Sequence, residues 1–143
     1  MCSSDLPLFL AQLREGFPCV YGSRFMAGGF IENSPLTRIF LSRIGTLLAN
    51  SLLGTRLADM TSGYQGFHRT MVEKFCAHPL RARAHFYQTE VKYLLRRHRS
   101  VEIPIIYRAP SPRVSWEAII NSLECLAYYF LRRIMLQIGR AHV

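Results

Sequence analysis

Two apolar rhythms alternate along this chain, and that alternation restricts its fold more than any other feature. Leu36–Leu53 (LTRIFLSRIGTLLANSLL) sets Leu36, Ile39, Phe40, Ile44, Leu47 and Leu48 at helical spacing, with Gly54 following as a stop. Residues 17–21 (FPCVY) instead form a short continuous apolar run ahead of Gly22, Ser23 and Arg24, the pattern of a buried strand feeding a loop. Residues 7–16 predict the last turns of a helix closed by Gly16, and residues 70–76 and 86–97 predict two more. Residues 64–68 and 100–107 predict strands, the second with Pro104 at an edge or bulge. Loops are expected at 25–34, 59–63 and 108–113, and a last, strongly apolar helix at 115–135. Helices and strands that take turns in this way fold as an α/β layered domain.

Half of the 143 residues are hydrophobic, enough for a core and for one domain. Charge narrows the partners: 18 Lys and Arg against 9 Asp and Glu give +9, and nearly all the cations are Arg, whose planar fork suits phosphate. Nucleic acid, an anionic membrane surface and a phosphorylated substrate all fit such a balance, as does a basic surface without a specific partner. Nucleic acid is disfavoured, because no helix-turn-helix, zinc or RNA-binding signature is present and aromatics are not interleaved with the arginines. Cys2, Cys19, Cys76 and Cys125 form no CxxC pair, so neither a zinc site nor a disulfide framework is expected. The five His form no triad or ligand set. No stretch at the start has the basic-then-apolar order of a signal peptide.

Four short segments carry more specific information. They are residues 20–25 (VYGSRF), 58–64 (ADMTSGY), 86–90 (FYQTE) and 101–105 (VEIPI). In this order and at this spacing they resemble the family 2 glycosyltransferases of the dolichol-phosphate mannosyltransferase, or polyprenyl-phosphate sugar transferase, branch. That resemblance implies the C-terminal half of a Rossmann-like GT-A domain over residues 7–114, with a terminal amphipathic helix over 115–137. It also implies transfer of a sugar from a nucleotide-sugar donor to a polyprenyl (dolichyl or undecaprenyl) phosphate, at the cytoplasmic face of a membrane.

Site residues follow from the resemblance position by position. Gly22, Ser23 and Arg24 match the G-S-R strand end. Arg38 and Ser42, which share a helix face at i,i+4, match a phosphate-contacting R-x-x-x-S pair. Asp59 matches an acid that the family places at its catalytic centre; an Asx-turn acid would look the same in sequence. Ser62 and Gly63 would shape its turn. Gln88 and Glu90 match a pair facing the donor sugar, although an acid at a helix start also meets the macrodipole. Arg108 and Arg113 stand where the family has a basic acceptor loop; Trp116 replaces its Lys and the loop's Gly is missing. The family's divalent metal, Mg or Mn, is held by a D-x-D motif just upstream. Residues 1–6 stand in that place, so no metal ligands are expected here and the chain alone is expected to be inactive.

The ends carry an expectation of their own. Residues 1–6 can be written as codons containing GCTCTTCCGATCT, and residues 138–143, after a Gln137 codon ending in AG, as codons completing AGATCGGAAGAGC, so both are expected to be translated sequencing adaptor. Residues 118–131 hold a single charge, Glu124, ahead of Arg132 and Arg133. That apolar stretch is shorter than the roughly 20 residues of a bilayer span. It reads equally as a core-covering helix, an interfacial helix or the start of a longer span. A peripheral membrane-binding module without catalysis is the alternative to a transferase.

Overall fold

The computed structural model describes residues 5–108 and 114–141. Helix α1 (Leu6–Arg14) takes Pro7 in its first turn, where a missing N–H costs no helical bond, and ends before Gly16 at φ 92°. Strand β1 (Cys19–Ser23) follows and is buried throughout. It is the middle of a three-stranded sheet, antiparallel to β3 (Gln65–Phe67) with Cys19 opposite Phe67. On its other side β1 runs parallel to β4 (Ser100–Pro104), Cys19 opposite Ser100 and Ser23 opposite Pro104. A second, two-stranded parallel sheet pairs β2 (Phe30–Ile31) with β5 (Ile106–Tyr107). Four helices complete the described fold: α2 (Leu36–Leu53), α3 (Arg69–Cys76), α4 (Tyr87–Leu94) and α5 (Trp116–Ala141).

The expected α/β class is met, with three local differences. Strand β1 begins two residues later than the apolar run suggests, because Pro18 has no N–H to enter a ladder and offers only its carbonyl, to His68 N at 2.9 Å. The strand also runs on through Gly22 and Ser23, expected in a loop, because they pair with Ile103 and Pro104 of β4. Within the 25–34 loop lies β2, too short to leave a periodic signal. The single strand expected at 100–107 is two, and Ile105 is the hand-over. Its N–H bonds Ser23 O at 3.0 Å, while its carbonyl accepts from Phe30 N at 3.1 Å.

Strand periodicity sorts the core. Val20 faces Phe9 of α1 together with Ile103 and Ile105, whereas its neighbours Cys19 and Tyr21 meet Met71 of α3 and Val91 and Leu95 of the α4 region. A third cluster (Ala49, Leu53, Met60, Phe86, Tyr93, Cys125, Leu126, Tyr129) joins α2, α4 and α5. Helix α5 buries Ala118, Cys125, Leu126 and Tyr129, a stripe at helical spacing, and exposes Ile120, Leu123, Leu131 and Met135. Helix α2 likewise exposes Leu36, Phe40 and Leu47. Arg133 crosses from α5 to bond the carbonyl of Leu52 at 2.9 Å, at the end of α2. It passes so close to Gly54 (φ 70°) that a Cβ there would lie 2.5 Å from its Cζ. Among the described residues no helix is long and apolar enough to cross a membrane.

Candidate functional site

Strand β1 delivers Arg24 from its C-terminal end to the turn at residues 58–63. There Arg24 Nε donates to Asp59 Oδ2 at 2.7 Å, and Nη2 donates to Asp59 Oδ1 at 2.9 Å and to Thr61 Oγ1 at 2.7 Å. The backbone N–H of Arg24 adds a bond to Oδ2 at 3.1 Å. The remaining capacity of Asp59 Oδ1 is taken by the N–H and hydroxyl of Thr61, both at 3.1 Å. Asp59 is 0% exposed. Burial opposes its ionisation, but the hydrogen bonds and charge of Arg24, aided by the charge of Lys92, hold its carboxyl below the ordinary range.

The same turn is gripped from beneath. Lys92 on α4, 1% exposed, donates to the carbonyls of Asp59 at 2.7 Å and Ser62 at 3.0 Å. Glu102 on β4 accepts from the N–H of Ala58 at 2.7 Å and of Asp59 at 3.0 Å. Thr46 on α2 accepts from Met60 N, and Thr89 on α4 donates to Met60 O. Arg24, Lys92, Asp59 and Glu102 thus form a charge-neutral quartet around one turn. Burial lowers the ammonium of Lys92 to about 8, although Asp59 and Glu102 pull the other way.

Above the turn lies a cavity of about 450 Å³, walled by α2, residues 61–64, the start of α4 and the first turns of α5. Its polar lining includes Arg24, Arg38, Ser42, Ser62, Gly63 and Gln88. Its apolar lining is broader and includes Leu41, Ile44, Leu48, Phe86, Ile119, Leu123 and Leu126. Burial lowers the guanidinium of Arg38 somewhat and the charge of Arg24 adds to this, an indication that the two cations feel one another.

Six of the expected site residues therefore meet at one cavity, and the other five described ones do not line it. Gly22 and Ser23 are strand residues beneath it: a Cβ on Gly22 would come within 2.9 Å of Ile105. Asp59, the expected catalytic acid, does not line the cavity; both its carboxylate oxygens are turned to Arg24 and Thr61. Its carboxylate is held ionised and enclosed, bonded to Arg24 and, in an Asx-turn, to the N–H of Thr61. Glu90, expected beside Gln88, points the other way. It accepts from Arg81 N at 2.7 Å, Ala82 N at 2.9 Å and the hydroxyl of Tyr129 on α5. Arg108 pairs with Glu32 at 3.0 Å, away from the cavity. Arg113 lies outside the described residues.

Sequence reading missed Lys92, Glu102 and Thr46. For Lys92 the available signal was a lysine placed between the apolar residues Val91 and Tyr93. A divalent metal, which the motif resemblance implies, finds no fitting donors here. Among the described residues no group of three or more His, Cys, Asp or Glu could hold one.

No protein-family model matches the chain. Two bacterial proteins are similar to it. One is the polyprenol monophosphomannose synthase of Mycolicibacterium smegmatis, 27% identical over 105 residues that cover 72% of this chain and 40% of that protein. The other is the undecaprenyl-phosphate mannosyltransferase of Micrococcus luteus, 29% identical over 105 residues that cover 72% of this chain and 43% of that protein. The chain thus spans less than half the length of these curated relatives. Both names describe the class of enzyme that the four motifs resemble.

Proposed function

We propose that this chain forms the lipid-phosphate side of a polyprenyl-phosphate mannosyltransferase. The observation that carries the proposal is the division of the cavity. Two arginines, Arg24 and Arg38, stand with Ser42 and the 61–63 turn on one part of its wall, and aliphatic side chains of α2 and α5 make up most of the rest. An amphiphile with an anionic phosphate head and a branched hydrocarbon tail matches both parts, as the names of the two relatives suggest. The phosphate oxygen of such an acceptor is already an anion, so the main task of the protein is to position and shield charge rather than remove a proton. Arg24, braced by Asp59, supplies a preorganised cation for that purpose.

On this reading the three-stranded sheet is the C-terminal part of a Rossmann-like GT-A domain. The nucleotide-sugar donor and its Mg or Mn ion belong to a region these 143 residues do not supply, so the chain binds acceptor without turning it over. The exposed apolar residues of α2 and α5 would rest on the cytoplasmic face of a membrane, peripherally.

Calorimetry with farnesyl phosphate, farnesol and inorganic phosphate tests the acceptor assignment. Farnesyl phosphate should bind more tightly than either part alone, and Arg38→Ala should weaken it by about tenfold or more, the loss of one charge-assisted contact. Equal affinity for farnesol and farnesyl phosphate would overturn the proposal. Flotation with liposomes, with no preference for the phosphate, would favour a membrane-binding module without catalysis.

A further inference from the structure

The carbonyl of Ser62 is occupied twice from beneath the turn, by Lys92 Nζ at 3.0 Å and by Gln65 Nε2 at 3.2 Å. No peptide bond among the described residues is cis. In a trans peptide the C=O and the following N–H point in opposite directions. The Asp59–Met60 peptide of the same turn shows the rule at work: Asp59 O faces Lys92, and Met60 N–H points the opposite way, to Thr46 Oγ1 on α2 at 3.1 Å. Applied to Ser62, the same rule turns the N–H of Gly63 away from Lys92. Gly63 is exposed and lines the cavity, and its N–H has no hydrogen-bond partner within the described protein.

Glycine at 63 also leaves room for the end of the Gln88 side chain. A Cβ there would sit 2.5 Å from Gln88 Nε2 and 2.9 Å from Gln88 Cδ, so the Gln88 amide packs where a side chain would be. Backbone N–H groups held in a fixed direction are the usual way a turn binds an oxyanion.

We propose that the Gly63 N–H is a phosphate-oxygen donor of the cavity and that Lys92 is the positioning residue that aims it. This builds on the acceptor assignment above and adds a backbone donor and its buried support to Arg24 and Arg38. Lys92 itself does not line the cavity. Its ammonium fixes the peptide, and the peptide meets the ligand. The groups facing Lys92 from other elements are Asp59 and Arg24 at the turn, Glu102 on β4 and the ring of Tyr21 on β1, 5.4 Å from Nζ.

Two measurements on the full 143-residue chain test it. In amide NMR spectra of the wild-type protein, farnesyl phosphate should shift the Gly63 N–H strongly downfield while the core amide of Val20 stays in place. Farnesol should not produce that shift. In calorimetry, Lys92→Met should lower the affinity ratio of farnesyl phosphate to farnesol by about tenfold, with farnesol binding retained. A merely structural role for Lys92 would weaken both ligands alike and leave the ratio unchanged. Farnesyl phosphate binding with the Gly63 amide unmoved would overturn this inference and leave the acceptor assignment standing. Failure of farnesyl phosphate to bind at all would overturn both. Should Lys92→Met not fold, the wild-type spectra still decide the matter.

Discussion

Lys92 carries its charge where almost no water reaches it, and its titration should report that. Burial moves its pKa from 10.5 down to about 8. Between these values the unfolded chain holds a proton that the folded chain has released. Stability contributed by this group therefore rises as pH climbs from about 8 to 10.5, and the penalty for burying the ammonium is complete below that window. Its full size is on the order of 3 kcal/mol. Urea unfolding of the wild type and Lys92→Met at the two ends of the window should show the difference shifting in favour of the wild type. A constant difference would contradict the assignment. At this scale the sequence was informative where a motif spelled out the chemistry: Arg24, Arg38, Ser42, Ser62, Gly63 and Gln88 do meet. It left open where Asp59 and Glu90 point, because a motif cannot say whether a carboxylate faces a cavity or is bonded to its neighbours; for Asp59 the Asx-turn it allowed is present. Glu90 turns to Tyr129, thirty-nine residues away, a contact that no local pattern announces.

At the scale of elements, the bounds of α2 were fully legible, since its stop is a glycine that must adopt φ 70°. Strand β2 was not, because its two residues are a strand only through pairing with β5. The join between α2 and α5 also escaped sequence reading, although one substitution should expose it. Gly54→Ala combines a left-handed backbone with a clash against Arg133, and should cost about 1–3 kcal/mol in chemical denaturation. The loss should shrink when Arg133→Ala is added, since the clash then disappears. If the two substitutions simply add, the guanidinium is not seated on the end of α2.

For the whole molecule, the layered class followed from alternating periodicities, while the splitting of residues 100–107 between two sheets depended on contacts with β1 and β2. The quartet of Arg24, Lys92, Asp59 and Glu102 has a consequence of its own. Because it sums to zero, the entire +9 of the chain lies elsewhere. Added salt should reach that outer excess and weaken capture of farnesyl phosphate, since exposed charges are screened beyond a Debye length of about 10 Å at 0.1 M. Arg24, Asp59 and Lys92 are buried and shielded from such screening, so the bonds that hold the turn should stay nearly unchanged across the same titration. Ionic strength would then act as a dial on encounter alone, turning down how often an anion arrives without loosening the frame that receives it.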